Sequence, residues 1–189
     1  MSELSDDIAH AVRIARVERS LTPAQLAELS GVSRAMISKI ERNEAQPTAA
    51  LLARLATALG LTLSELIARA EGAGSRLARR DEQAEWTDPA TGFTRRSVSP
   101  GAATTVELVE VVLPAGAEVA YPADSYRFID QQIWVLSGTL HFQEGDELHV
   151  LAAGDCLQLA EPRDCVFRSA ADEPCRYLVA LSKAPTARR

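Results

Sequence analysis

Three cationic side chains, Arg34, Lys39 and Arg42, fall close together in the stretch "SGVSRAMISKIER". At helical spacing Val32, Ile37 and Ile40 turn to one side, and Leu26 can meet them from the segment before. Arg34, Ala35, Met36, Ser38, Lys39 and Arg42 are left on the other side. Guanidinium and ammonium groups pair with phosphate, and a face of this kind can enter the major groove of a duplex with its N-terminal residues at the base edges. Arg34 can read a guanine through two parallel hydrogen bonds. Ala35 and Met36 can make only apolar contacts, for instance with a thymine methyl.

A second candidate site lies in "YRFIDQQIWVLSGTL", residues 126–140. Side chains alternate along a strand, so Gln132, Trp134 and Leu136 are expected on one face, and Cys165 and Phe167 together on another. With Tyr126 and Phe128 they would line an apolar cavity carrying a few polar groups, as small-molecule sites do. The same aromatic residues could instead fill a small barrel. A divalent catalytic metal needs about three imidazole or carboxylate ligands, and this stretch has no histidine and no glutamate. Of the chain's three histidines, His10 falls in a helical segment. His141 and His149 could approach each other if "TLHF" and "ELHV" pair as a hairpin, but a zinc site there would lack cysteine or carboxylate on the same face.

Two kinds of element must position these groups. Residues 1–70 carry helical periodicity only: Ile8, Ala11, Val12 and Ala15 repeat at helical spacing, as do Leu52, Leu55, Ala56 and Leu59. Helices are expected at about 4–19, 23–30, 34–42, 48–59 and 63–69. Thr22 before Pro23 reads as an N-cap with proline at the first helical position. Ser33 can cap the next helix, and Gly31 can take the positive φ of the turn between the two. Residues 71–84 form a charged, glycine-containing linker. From Trp86 onward, short β runs such as "TTVELVEVV", "QQIWVL", "CVFR" and "CRYLVAL" alternate with Pro, Gly and Asp clusters, the pattern of a sandwich or barrel. The expected domains are therefore 1–70, a linker over 71–84, a β domain over 85–183 and a tail over 184–189.

Composition narrows the function classes. The net charge of −6 argues against non-specific coating of nucleic acid, but the charge is unevenly placed. Residues 1–70 hold 8 basic and 8 acidic side chains, whereas residues 97–189 hold 7 and 13. The helical half can present cations to phosphate while the β half is repelled from it. No apolar run approaches the ~18 residues of a membrane span. The acidic start "MSELSDDIAH" lacks the order of a secretory signal, so a cytoplasmic protein is expected. Cys156, Cys165 and Cys175 form no C-x-x-C pair and read as small buried hydrophobes.

The combination of "LAELSGVS", "ISKIER" and "PTAALLARLATALGLTLSEL" resembles the helix-turn-helix of the phage-repressor type, the XRE family, over about residues 4–70. The resemblance implies an all-α, five-helix lambda-repressor-like DNA-binding domain. It implies base contacts at Arg34, Ala35, Met36 and Lys39. Phosphate contacts are implied near Arg42, Asn43 and the start of the second helix, at Thr22 and Gln25, with Ser33 and Ser38 completing the face. It also implies a structural ion pair between Arg16 and Glu41. Asn43 stands where the family usually has glycine, and asparagine tolerates the left-handed conformation.

The stretches "LPAGAEVAYP", "VLSG", "HVLAAGDCLQL" and "EPRDCVFRSAADEP" resemble the cupin fold, an all-β double-stranded β-helix barrel, over about residues 93–183. Enzymatic cupins hold a metal with a His-x-His pair, a glutamate and a further histidine. The matching positions here are Tyr126, Phe128, Gln132 and Cys165, so the resemblance implies a cupin with no metal, no cofactor and no catalytic residue. Helix-turn-helix/cupin regulators then suggest the whole: a homodimeric transcriptional regulator on a palindromic double-stranded operator, whose cupin senses a small molecule. The alternatives are a metal-dependent oxidoreductase and a regulator whose cupin is only a dimerisation scaffold.

Overall fold

The computed structural model describes residues 3–68, 77–100, 106–126 and 129–183. The chain divides into two compact units, 1–74 and 75–189. The expected boundary at residue 70, the linker over 71–76, Phe128 and the tail over 184–189 lie outside the described residues.

Among the described residues the first unit holds five helices: α1 (Glu3–Glu18), α2 (Pro23–Ser30), α3 (Arg34–Glu41), α4 (Ala49–Ala58) and α5 (Leu63–Ala68). Local chemistry sets their ends. Thr22 and Gln25 form a capping box: Thr22 Oγ1 accepts from the Gln25 N–H at 3.2 Å, and Gln25 Oε1 accepts from the Thr22 N–H at 2.9 Å. Pro23 occupies the first turn, where no N–H is needed. Gly31 ends α2 at φ 63°, and Ser33 starts α3 by accepting the Met36 N–H at 3.2 Å. Only Val32 therefore separates the caps of α2 and α3, which makes the turn tight. At the far end of α3, Asn43 takes φ 55°, and the Asn43 and Glu44 N–H groups bond back to Ile40 and Lys39 at 2.8 Å each. That is a Schellman closure with asparagine in the glycine position.

The helices meet over Val12, Ala15, Leu26, Ile37, Ile40, Leu52, Leu55 and Leu66, each fully buried. Burial of a Leu or Ile side chain contributes about 1.5–3 kcal/mol, so this small unit depends on the full set. Val32 is also buried, which fixes the rotation of α3 and turns its opposite face to solvent.

Among the described residues the second unit holds ten strands: β1 (Glu85–Thr87), β2 (Thr94–Ser97), β3 (Val106–Leu113), β4 (Glu118–Tyr121), β5 (Ile129–Ser137), β6 (Leu140–Glu144), β7 (Glu147–Leu151), β8 (Cys156–Gln158), β9 (Cys165–Ser169) and β10 (Cys175–Lys183). One sheet runs β1-β2-β3-β10-β5-β8, the other β4-β9-β6-β7. All pairings are antiparallel, and from β3 to β10 the chain crosses repeatedly from one sheet to the other. This interleaving is the double-stranded β-helix of a cupin-type barrel. Gly138 makes the β5–β6 turn at φ 75°, with the backbone of Pro174 and Cys175 packed against its missing side chain. Gly154, at φ 96°, turns the chain from β7 to β8.

Between the sheets the barrel is filled by aromatic rings. Phe142 and Phe167 lie 4.7 Å apart, Phe167 stacks on Tyr177 at 5.8 Å, and Tyr121 meets Phe167 edge-on at 5.8 Å. Burial raises the Tyr177 hydroxyl well above its usual range, in keeping with a dry interior.

Candidate functional site

The outward face of α3 has the composition expected of it. Ser33, Arg34, Ala35, Lys39 and Arg42 are exposed, and Met36 and Ser38 are half-buried. Thr22 and Gln25 are exposed at the start of α2, and Asn43 is half-buried just past α3. Because α3 starts at Arg34, the N-terminal turn offers Arg34 and Ala35 while Lys39 and Arg42 stand one and two turns further on. That order suits a helix whose first residues touch base edges and whose later cations meet the backbone.

Two arginine–glutamate pairs border this face, and they differ in burial. Arg16 on α1 donates to Glu41 on α3 through Nε at 2.7 Å and through its terminal nitrogen at 2.8 Å, while its other terminal nitrogen donates to the Leu21 carbonyl at 2.8 Å. The side chains are 12% and 9% exposed. The hydrogen bonds it donates to Glu41 hold the Arg16 guanidinium above its already high range, so it stays charged. Every strong bond of this pair is spent inside the unit, which makes Glu41 a brace for the rotation of α3. The second pair is exposed: Arg42 donates through two nitrogens to both oxygens of Glu44, at 2.6 and 2.8 Å. Glu44 lies below the usual carboxylate range through its hydrogen bonds to Arg42, with Lys39 contributing a smaller attraction. An acid within reach of two of the face's cations did not enter the sequence reading. Its position two residues after Arg42, just past the helix end, was the available signal.

The β-unit residues need a correction. Gln132 and Trp134 point away from the barrel interior: both are exposed, Trp134 at 48%. The inward face of β5 is Gln131, Ile133 and Val135, all buried. The expected face was therefore displaced by one residue, which inverts a strand of period two. Trp134 instead stands across from Leu178 on β10 and Cys156 on β8. Phe167 belongs to the aromatic filling.

Tyr126 and Cys165 do come together, at one end of the barrel, beside Gln131 and Glu144. A small cavity there is walled further by Ile129, Asp130 and the segment from Leu159 to Arg163. Burial pushes the Cys165 thiol up to about 11 and the Tyr126 hydroxyl well above its usual range, so both are neutral. A neutral thiol is neither a ready nucleophile nor a metal ligand. Glu144 was missed from sequence although it alternates with Leu140 and Phe142 on the inward face of β6. His149 also faces inward, stacked on Phe142 at 6.3 Å, whereas His141 sits across from Val150 and shares the outward alternation of Gln143. The two histidines therefore do not form one site. Among the described residues, no group of three His, Cys, Asp or Glu side chains is placed to hold a metal ion. Nor is any described helix long and apolar enough to cross a membrane.

Residues 12–66 match the HTH_3 helix-turn-helix family. The HTH-type transcriptional regulator SutR of Escherichia coli (strain K12) is 37% identical over 73 residues, 39% of this chain and 41% of SutR. The immunity repressor protein of Bacillus phage phi105 is 33% identical over 79 residues, 42% of this chain and 51% of the repressor. The matches thus span about half or less of those curated relatives. An HTH_3 family transcriptional regulator from Vibrio cholerae shares the fold, with a TM-score of 0.77 over 96% of this chain and 98% of that one at 22% identity.

Proposed function

We propose that this chain, a helix-turn-helix protein of the phage-repressor type with a cupin-type β unit, is a sequence-specific transcriptional regulator and not an enzyme. The observation that carries this reading is the exposed α3 face, with Arg34 and Ala35 in its first turn and Lys39 and Arg42 behind them. Arg34 and Lys39 read base edges, Ala35 and Met36 add apolar contact, and Arg42, Asn43, Thr22 and Gln25 fix the register on phosphates, with Ser33 and Ser38 between them. One unit of this size reads few base pairs, so the reading includes a homodimer on a palindromic operator in the cytoplasm. The likeness of the helical unit to SutR and to the phage repressor supports it.

The β unit acts in this reading as a small-molecule sensor. A ligand that binds better when the reading heads are suitably placed shifts operator affinity by its differential affinity for the two states. A second reading, a β unit that only holds the dimer together, is favoured by the aromatic filling around Phe142, Phe167 and Tyr177. Selection of bound duplexes from a random pool by the purified protein tests the regulator reading. A recovered palindrome with dimer stoichiometry is expected, and a pool that never departs from random would overturn it.

A further inference from the structure

We propose that the end cavity of the β unit binds the primary ammonium group of a small aliphatic amine, a proposal that deepens the sensor reading by naming its ligand class. The cavity is about 20 Å³ and opens to solvent through a cleft. A chamber of that size holds one water-sized group, and an ammonium head is of that size. Two polar side chains less than one-tenth exposed line it: Glu144 at 5% and Gln131 at 7%. One oxygen of Glu144 accepts from the Ala160 N–H at 2.9 Å, which ties the carboxylate to the cavity wall. The other lies 3.9 Å from His149 Nε2, outside hydrogen-bond range. The backbone carbonyl of Gln131 accepts from Gln158 Nε2 at 3.1 Å and from the Leu159 N–H at 3.0 Å. Its carboxamide has no hydrogen-bond partner among the described residues.

The chemistry of the lining selects a cation. An acceptor carboxylate and an amide carbonyl suit the three N–H donors of an ammonium group. Tyr126 and Cys165 remain neutral there, as shown above. Among the described lining residues, Asp130 and Glu161 add acidic charge at the rim against Arg163, which disfavours an anion. Ile129, Leu159 and Pro162 give the outer cleft apolar wall for a short alkyl chain. The ligand class is therefore a short alkylamine, held by its head in the chamber with its chain toward solvent.

Calorimetric titration of the full chain with n-butylamine, n-butanol and butyrate at equal ionic strength tests this. Butylamine is expected to bind at least 10-fold more tightly than either of the others. Glu144→Gln keeps an acceptor for Ala160 while removing the charge, and is expected to weaken butylamine binding by at least 10-fold. Gln131→Leu is expected to weaken it about 3- to 10-fold, from the loss of one hydrogen bond. Melting curves establish that each variant is folded. If Glu144→Gln does not fold, the ranking of the three probes on the unaltered chain and the effect of Gln131→Leu decide. Equal affinity for butanol and butylamine overturns the proposal, as does undetectable butylamine binding or unchanged affinity in both folded variants. Butylamine binding that leaves duplex affinity unchanged keeps the ammonium site and removes the sensor role. Absent amine binding leaves the DNA-binding reading standing.

Discussion

The helical unit and the β unit place their polar chemistry on opposite sides of their own surfaces. On α3, Arg34, Lys39 and Arg42 stand in solvent over a core of Val32, Ile37 and Ile40. At the end of the barrel, Gln131 and Glu144 are buried while Gln132 of the same strand is exposed. An exposed cationic face can meet a large polyanion without rearranging, and what it recognises depends on spacing along one helix. A buried carboxylate and amide admit only what fits and satisfies them, and they depend on register between strands far apart in sequence. The first arrangement tolerates loop variation elsewhere, and the second does not.

The strongest way to break this contrast is to damage the brace under the exposed face. Glu41→Ala would leave the Arg16 guanidinium nearly buried and without its carboxylate. Loss of one partner from a buried pair costs about 3 kcal/mol or more. Circular dichroism at 222 nm during urea unfolding should show the helical transition moving to lower denaturant. Trp86 and Trp134 both lie in the β unit, so tryptophan fluorescence should report an unmoved second transition. A common shift of both signals would mean that the stabilities of the two units are coupled.

The turns sharpen the comparison. A Cβ at Gly138 would run into the backbone carbonyl of Pro174, on top of a left-handed φ of 75°. Gly31 has a similar φ of 63°, but there the Cβ would meet the movable guanidinium of Arg54. Gly138→Ala should therefore cost the β unit about 2–3 kcal/mol, from strain plus overpacking, and Gly31→Ala the helical unit about 1 kcal/mol. Equal losses in thermal melts would show that the Pro174 backbone yields as easily as an arginine side chain.

Arg34→Ala tests the exposed face directly. Loss of a bidentate base contact should weaken the selected operator by about 2 kcal/mol, roughly 30-fold, while barely changing affinity for random duplex. A loss that is the same for operator and random sequence, in fluorescence anisotropy, would make Arg34 a phosphate contact and move base reading elsewhere on α3.

What could be read in advance divides along the same line. Caps and the Gly31 turn follow from chemistry within a few residues, whereas the Arg16–Glu41 pair and the left-handed Asn43 were legible through the resemblance to the phage-repressor type. The face of β5 could not be read that way. "IDQQIWVLS" has adjacent glutamines at 131 and 132 and four consecutive apolar residues from Ile133 to Leu136, so alternation does not choose a side. Matching Gln132 to the cupin glutamate put Trp134 on the inward face with it, whereas pairing with β10 and β8 places Trp134 outside. Glu144 shows the converse. Its alternation with Leu140 and Phe142 was legible, yet it lies in the charged stretch "QEGDE" between the two expected hairpin strands.

The smallest effect concerns an acid within the cationic face. Glu44 holds Arg42 by two hydrogen bonds in the open, with side chains 50% and 59% exposed. Such a solvent-exposed pair is weak, so a phosphate can displace the carboxylate, but the exchange subtracts from DNA affinity. The remaining carboxylate also repels the backbone beside Lys39. Glu44→Gln should thus tighten binding about 2- to 5-fold on operator and random duplex alike, and should steepen the salt dependence by up to one released counterion. The buried Glu41 allows no such gain, because its carboxylate is committed to Arg16. If Glu44→Gln weakens binding or leaves the salt slope unchanged, Arg42 does not reach a phosphate, and the register assigned to the C-terminal end of α3 must shift by a turn.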